Sequence, residues 1–236
     1  MKRKTDKPAK KSTAAPETCL ILRTCAADMT SRGGFKWPES GPVNAPDWNP
    51  AHVCGGGLHG LLWGEGDAGC LNMSESAKWI VFRAAVSDIA HGSGALTDKC
   101  KARAGTVEYC GSREGATSYL YANGATGKAV VFGTATAGYG GTATAGTRGT
   151  ATAGTRGTAT AGTRGTATAG DYGTATAGTR GTATAGTRGV IAILRWNGKR
   201  YKLRIAQIKD EDGDGELEPN VKYRLNDAGD FVRADS

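Results

Sequence analysis

From Gly133 to Arg188 the chain repeats one octapeptide, GTATAG plus two variable residues, seven times without a gap. Five units end in Thr-Arg, one in Tyr139-Gly140 and one in Asp171-Tyr172. A strict period of this kind belongs either to low-complexity coil or to a stacked repeat. The phase inside the unit favours the stack. In Thr-Ala-Thr-Ala a β-branched residue alternates with a small one at period two, which suits a strand. Thr134 and Thr136 then share one face and Ala135 and Ala137 the other. Gly133 and Gly138 bracket the strand and are expected to take the positive φ of tight corners.

Eight residues are too few to close a coil around a side-chain core, so the predicted coil takes two octapeptides with a strand on each flat side. Alanines face inward and threonines outward. Gly189-Val190-Ile191-Ala192-Ile193-Leu194 keeps the phase while losing the threonines. Counting it gives eight units, four coils and a stack about 19 Å long at the strand spacing of ~4.8 Å. One flat side then carries Thr134, Thr136, Thr150, Thr152, Thr166, Thr168, Thr182 and Thr184; the other carries Thr142, Thr144, Thr158, Thr160, Thr174 and Thr176. Neighbouring hydroxyls lie about 6.8 Å apart along a strand and about 4.7 Å apart between coils. Such a flat hydroxyl-and-methyl lattice is a candidate ice-binding surface. Arg148, Arg164 and Arg180 fall on one edge, and Arg156 and Arg188 on the other with Tyr172 between them. Like charges stacked at coil spacing repel unless acids, counter-ions or a polyanion intervene. These arginines, with Tyr139 and Tyr172, are therefore the candidate docking or assembly edge.

The stretch Ala137-Gly138-Tyr139-Gly140-Gly141-Thr142-Ala143-Thr144-Ala145-Gly146 resembles the AGYGSTxTAG repeat of bacterial ice-nucleation proteins. That resemblance implies a β-solenoid of sixteen-residue coils with outward Thr-x-Thr arrays, ordered water on the threonine ranks, and self-assembly through arginine-rich coils. Here glycine replaces serine and every unit bears Thr-x-Thr.

The net charge of +8 is unevenly distributed. Residues 1–16 carry +5, residues 17–132 carry −1, the repeat carries +4 and residues 190–236 are neutral. The basic arm over 1–16 is expected to be disordered, with an acidic partner or nucleic acid as the partner its charge suits. No aromatic interleaves its lysines, so it is no stacking platform for bases. It leads into no apolar run, so it is not a secretory signal, and no run of about 18 apolar residues marks a membrane span. A cytoplasmic location with reduced thiols is the expectation.

Residues 17–132 read as an α+β head. Strands are predicted over 19–23, 79–86 and 106–110, a helix over 113–121, a short helical start at 74–77 and a proline-rich loop over 32–50. Cys54-Gly-Gly-Gly-Leu58-His59-Gly60 would let backbone approach another chain or ligand closely. His52, Cys54 and His59 are metal-capable types, but no matching pair lies at zinc-site spacing, Cys19 and Cys25 being six apart. Cys54 and His59 lack an identifiable orienting third group for nucleophilic chemistry. The reading therefore carries no metal and no cofactor.

Gly57-Leu58-His59, Ser76-Ala77 and the strand from Trp79 resemble the pattern of ADP-ribosyltransferase folds. That resemblance implies Arg23 as a nicotinamide-dinucleotide contact and Glu108 as the catalytic acid, with His59 standing where tyrosine is expected. The whole layout also resembles uncharacterised proteins of bacteriophages and prophages. Residues 195–236 read as a β-hairpin cap, with Trp196, Tyr201, Tyr223 and Phe231 covering the open end of the solenoid. Asp210–Glu216 resembles a calcium-loop opening, but its terminal ligand position falls on Val221, so an acidic loop is expected.

The sequence thus predicts a basic arm (1–16), an α+β head (17–132), a β-solenoid (133–194) and a β cap (195–236). The expected role is structural, a rigid display or self-association surface that forms homo-oligomers through the solenoid, with ice binding and an ADP-ribosyltransferase-like head as alternatives.

Overall fold

A computed structural model describes residues 16–234, so the arm expected over 1–16 lies, apart from Pro16, outside the described residues. The head is an antiparallel sheet of β1 (Thr18–Cys25), β2 (Gly41–Asn44), β3 (Leu58–Leu62), β4 (Lys78–Ala85), β5 (Ile89–His91), β6 (Cys100–Ala102) and β7 (Ala104–Gly111). Their order across the sheet is β2-β7-β4-β1-β3-β6-β5. β1 and β4 each carry an unbroken apolar run, residues 19–22 and 79–82, because both faces of the sheet are covered there. Ile21, Ile80 and Phe82 face one core with Trp37 and Met29. Leu20, Leu22, Trp79 and Val81 face the other, under α1 (Arg113–Ala122). Ser112 starts this helix by accepting a hydrogen bond from the Gly115 N–H at 3.1 Å, and Ala116 and Leu120 are its buried stripe.

The predicted strands at 19–23, 79–86 and 106–110 and the helix at 113–121 are all present. Residues 74–77 form one turn, closed by Ala77 N–H to the Ser74 carbonyl at 3.0 Å, and not the start of a helix. The chain enters β4 immediately afterwards, and the ladder with β1 takes over its backbone groups. The loop over 32–50 contains β2, which the prolines disguise: as an edge strand it can dispense with amide donors on its outer side. Gly60 explains part of the glycine cluster. A Cβ there would lie 2.4 Å from Ile21 Cγ2 and 2.7 Å from the Leu22 carbonyl oxygen, so β3 pairs with β1 only through glycine.

The solenoid follows as β8 (Thr134–Ala137), β9 (Thr142–Ala145), β10 (Thr150–Ala153), β11 (Thr158–Ala161), β12 (Thr166–Ala169), β13 (Thr174–Ala177), β14 (Thr182–Ala185) and β15 (Val190–Trp196). β8 to β12 each pair in parallel with the strand sixteen residues on, Thr over Thr and Ala over Ala, as in Thr150 with Thr166 and Ala151 with Ala167, and β13 pairs likewise with β15, Thr174 over Val190. Even-numbered strands make one sheet and odd-numbered strands the other. Their inward alanines merge into a single core that ends in Ile191, Ile193, Ala206, Ile208 and Tyr223. There are about four turns of sixteen-residue coils, as the repeat arithmetic requires.

The corners differ from expectation. Gly133 and Gly138 do not carry the positive φ; the last residue of the unit does, with Arg148, Arg156, Arg164, Tyr172, Arg180 and Arg188 all between 56° and 59°. In each turn, such as Gly146-Thr147-Arg148-Gly149, the Gly149 N–H reaches the Gly146 carbonyl at 3.0 Å, and the third residue takes the positive φ that a type II turn demands. The repeat glycines serve a different need. A Cβ on Gly162 would lie 2.7 Å from Gly146 C and Thr147 N of the coil beneath, so successive corners stack only without side chains there. The Arg148 N–H donates to the Thr163 carbonyl at 2.9 Å, and the same bond recurs along both edges.

Both ends are closed. Val130 and Val131 belong to the helix-side core of the head, and Phe132 N–H donates to the Thr147 carbonyl at 2.9 Å, so residues 130–133 are the first corner. At the other end β16 (Tyr201–Gln207) pairs with β15, while β17 (Tyr223–Leu225) and β18 (Phe231–Arg233) extend the other sheet. Tyr223 and Phe231 pack on the solenoid core as expected. Trp196 and Tyr201 do not. They lie at the tip of the β15–β16 ribbon, beyond the last coil, 48% and 62% exposed, with their rings tilted against each other at a centroid distance of 4.9 Å.

A pair of substitutions separates the two roles at a corner. Arg164→Gly removes a left-handed strain of about 1–2 kcal/mol and restores unfolded-chain entropy of similar size, so stability should stay within about 1 kcal/mol of wild type. Gly162→Ala should cost about 1–3 kcal/mol through overpacking against the neighbouring coil. Urea denaturation followed by circular dichroism measures both, and equal losses would contradict this assignment of the corner.

Candidate functional site

Two flat threonine faces flank the alanine core. On one, the even-numbered strands align Thr134/Thr136, Thr150/Thr152, Thr166/Thr168 and Thr182/Thr184 as four ranks in register. On the other, Thr142/Thr144, Thr158/Thr160 and Thr174/Thr176 make three ranks, and Val190 and Ala192 take the fourth. The threonines are exposed or half-buried because they project from sheets whose inner faces are filled. Coil spacing brings the Thr182 hydroxyl to 3.2 Å from that of Thr166.

The two corner edges differ in electrostatics. On the first, Arg156 and Arg188 flank the Tyr172 ring at 5.7 and 5.8 Å, and Arg188 donates to the Tyr172 hydroxyl at 3.3 Å. The acidic loop closes this edge: Arg188 reaches Glu211 at 3.0 Å and Asp210 at 3.8 Å. That loop is an aspartate turn, the Asp210 carboxylate accepting the N–H groups of Asp212 and Asp214 at 3.0 and 2.9 Å. Tyr139 stands 71% exposed at the start of the same edge. On the second edge Arg148 lies 5.7 Å from the Phe132 ring, while Arg164 and Arg180 make no ion pair among the described residues. These three arginines, Arg195 and head residues Asp67, Gly69, Leu71 and Met73 line a cavity of about 730 Å³.

The head holds a second cavity, about 870 Å³, lined from both faces of the sheet: Trp37 and Leu58 belong to one core, Leu61 and Leu71 to the helix-side core. Arg23 and His59 meet there. Arg23 Nη1 donates to the His59 carbonyl at 3.2 Å, Nε and Nη2 donate to the Thr24 carbonyl, and the guanidinium lies 4.1 Å from the Trp37 ring centroid. Burial lowers the Arg23 pKa to about 10. His59 pairs across the sheet with Lys101. Its Nε2 accepts the Gly55 N–H at 3.2 Å, which leaves the proton on Nδ1, and Nδ1 has no partner among the described residues. Burial, then Lys99, Lys101 and Arg23, push the His59 pKa below its ordinary value near 6.5.

Glu108 is elsewhere. Alternation along the sheet puts it on the helix side, where Arg83 binds it through two hydrogen bonds of 2.7 and 3.0 Å and Tyr119 of α1 donates to it at 3.0 Å. The structure therefore joins Arg23 to His59 and separates both from Glu108. Nor does it pair Cys54 with His59: Cys54 Sγ accepts from Lys99 Nζ at 3.1 Å. Among the described residues no group of three or more metal-ligating side chains converges.

Sequence reasoning missed Trp37 and Lys99 as cavity residues, and Lys101 as the buried cation behind them. Lys101 is fully buried, its ammonium donating to the carbonyls of Val53 and Gly55 at 3.0 and 2.9 Å. The three-residue strand Cys100–Ala102 is too short to carry a periodic signal, and a lysine ordinarily marks solvent.

Comparison with known proteins divides the chain in the same way. Residues 19–117 match a family model described as a domain of unknown function (DUF7666). An ice nucleation protein of Xanthomonas campestris pv. translucens is 37% identical over 107 residues, covering 45% of this chain and 7% of that protein. One from Pseudomonas fluorescens is 35% identical over 107 residues, again 45% of this chain and 9% of the relative. Ice nucleation protein InaU of Pantoea ananas is 45% identical over 62 residues, 26% of this chain and 6% of that protein. The chain thus spans less than a tenth of the length of these relatives. No solved structure matches significantly. No helix among the described residues is long and apolar enough to cross a membrane.

The lowered pKa of His59 has a signed consequence. The unfolded chain binds a proton near pH 6.5 that the folded head binds only at lower pH, so stability is full above about pH 6.5 and falls as pH drops below it. Chemical denaturation at pH 7.5 and pH 5 should show a loss in wild type that shrinks in His59→Gln. An undiminished loss in the variant would assign the effect to other groups.

Proposed function

We propose that the chain is a non-enzymatic structural module whose rigid solenoid presents flat threonine arrays to ordered water, making it an ice-interacting surface. The observation that carries this reading is the in-register stacking of Thr-x-Thr ranks on both sides of an alanine core. A threonine offers a hydroxyl to bond water and a methyl to seat between waters. A parallel ladder fixes these groups on a lattice without further ordering cost, because the backbone already holds them. The similarity to ice nucleation proteins supports the same reading. The four-rank face measures only about 7 by 14 Å between Cα positions, so its expected effect is weak restraint of ice growth at high protein concentration.

In nanolitre osmometry, wild-type protein near millimolar concentration should facet ice crystals and give measurable thermal hysteresis. Thr152→Tyr with Thr168→Tyr, which breaks the flatness of the larger face, should remove most of the effect. The matching pair Thr160→Tyr and Thr176→Tyr on the smaller face should remove less. Hysteresis unaltered in both variants, with the β-sheet spectrum intact, sinks the reading.

The open arginine row favours a second reading, in which Arg148, Arg164 and Arg180 dock an acidic partner or an acidic surface of another copy. Their cavity brings three cations together at coil spacing with Asp67 and Asp227 as its carboxylates. Sedimentation at low and high salt tests self-association. A salt-sensitive oligomer should dissociate when the three arginines become glutamine, and an oligomer indifferent to those changes removes the docking row.

A further inference from the structure

The cavity of the head carries more positive than negative charge in its lining. Arg23, Arg32 and Lys99 line it, and Asp47 is the single carboxylate among its lining residues. Lys101 lies directly behind, fully buried, holding the carbonyls of Val53 and Gly55. None of these four cations is ion-paired among the described residues. Arg23 and Lys101 spend their donors on backbone carbonyls, which satisfy hydrogen bonds but leave the charge uncompensated. Buried cations without an anion are costly and are ordinarily paired.

Two further donors remain unused. Among the described residues Trp37, 2% exposed, has no partner for its indole N–H, and the His59 Nδ1 hydrogen likewise has no acceptor. The neutral tautomer makes His59 a donor in this direction, since Nε2 is occupied by the Gly55 amide. Unpaired buried donors are rare, and both belong to residues that line this cavity, one from each face of the sheet, beside cations lacking an anion.

The loop that shapes the cavity is built for this geometry. Gly55, Gly56 and Gly57 all have positive φ, 86°, 62° and 151°. A Cβ on Gly57 would come within 3.2 Å of Lys101 Cβ, so only glycine lets the loop fold over that side chain and turn its carbonyls onto the ammonium. Phe35, Trp37, Leu58, Leu61 and Leu71 make the rest of the wall apolar and partly aromatic. Pockets of this size with a few convergent polar groups are the usual setting for small ligands.

We propose that the head cavity binds a small molecule bearing an oxyanion, carboxylate or phosphate, attached to a flat apolar group. The oxyanion sits against Arg23 and Lys99, and the flat group lies against the aromatic wall beside Trp37. The inference is independent of the threonine faces, because no solenoid residue lines the cavity.

Phenyl phosphate, benzoate and the neutral control benzyl alcohol, titrated into the full chain, test it. ¹H–¹⁵N spectra follow the Trp37 indole N–H, assigned with Trp37→Phe. Saturable shifts of that resonance by phenyl phosphate alone identify a phosphate site, by benzoate alone a carboxylate site, and by both a general oxyanion site. Benzyl alcohol should be at least tenfold weaker than the better anion. Lys99→Glu, a change at the cavity rim, should weaken the anion tenfold or more while preserving the remaining spectrum, and Arg23→Lys, which keeps charge but loses the planar fork, should weaken it less. Absence of saturable shifts with either anion overturns the proposal. So does equal response to benzyl alcohol, or affinity unchanged in a folded Lys99→Glu.

Discussion

The solenoid depends on how little an alanine methyl occupies. Each inward side chain contributes one methyl group, so the two sheets must lie close for those methyls to touch, and the corner joining them can span only a few residues. Burial of so small a group gives about 1 kcal/mol or less per residue. Cohesion must therefore come from repetition: the parallel ladders, the corner bonds such as Arg164 N–H to the Thr179 carbonyl at 2.9 Å, and neighbour-on-neighbour packing. The ends cannot use the same means. At one end the solenoid core closes on Ile191, Ile193, Ile208 and Tyr223, and at the other the first corner is made by Val130, Val131 and Phe132 of the head's helix-side core.

That constraint also decides which residues occupy the corners. A tight corner needs one residue with positive φ, and the usual expectation assigns it to glycine. Here the glycines are required at positions where a Cβ would strike the neighbouring coil, as at Gly162 and Gly178. The left-handed conformation falls instead to the residue whose side chain points away from the stack. Gly140, with φ 65°, shows the same site occupied by glycine. Arginine in this place projects from the edge with its guanidinium free of the core.

What could be read from the sequence follows the length over which each signal is repeated. The octapeptide fixes strand, face and coil because the same physical choice recurs seven times. In the head, β1, β4, β7 and α1 are long enough to show their pattern. Strands β3, β5 and β6 have three to five residues each, and β3 owes its position to Gly60, whose role depends on Ile21 almost forty residues away. Lys101 was unreadable for the same reason: its burial is set by a glycine loop that folds over it. The separation of Arg23 from Glu108 likewise depends on which side of a sheet each residue faces, and the Arg83 and Tyr119 contacts that hold Glu108 come from β4 and α1.

The structure treats its cations in three ways. Along one corner edge the Asp210–Glu211 loop pairs with Arg188, and the Tyr172 ring lies between Arg188 and Arg156. Along the other edge, Arg164 and Arg180 remain open to an aqueous cavity, where water and salt screen them. In the head, Arg23 and Lys101 are desolvated and held by carbonyls, where screening is weakest. The last two arrangements share a boundary. Gly69 and Leu71 line both the arginine groove and the head cavity, at a single helical turn over Ala68–Cys70 that Asp67 caps by accepting the Gly69 N–H at 2.8 Å. The head is thus more than an end cap for the solenoid. It places a basic cavity and a basic groove on either side of one short wall, so the same turn that shapes the groove also shapes the cavity.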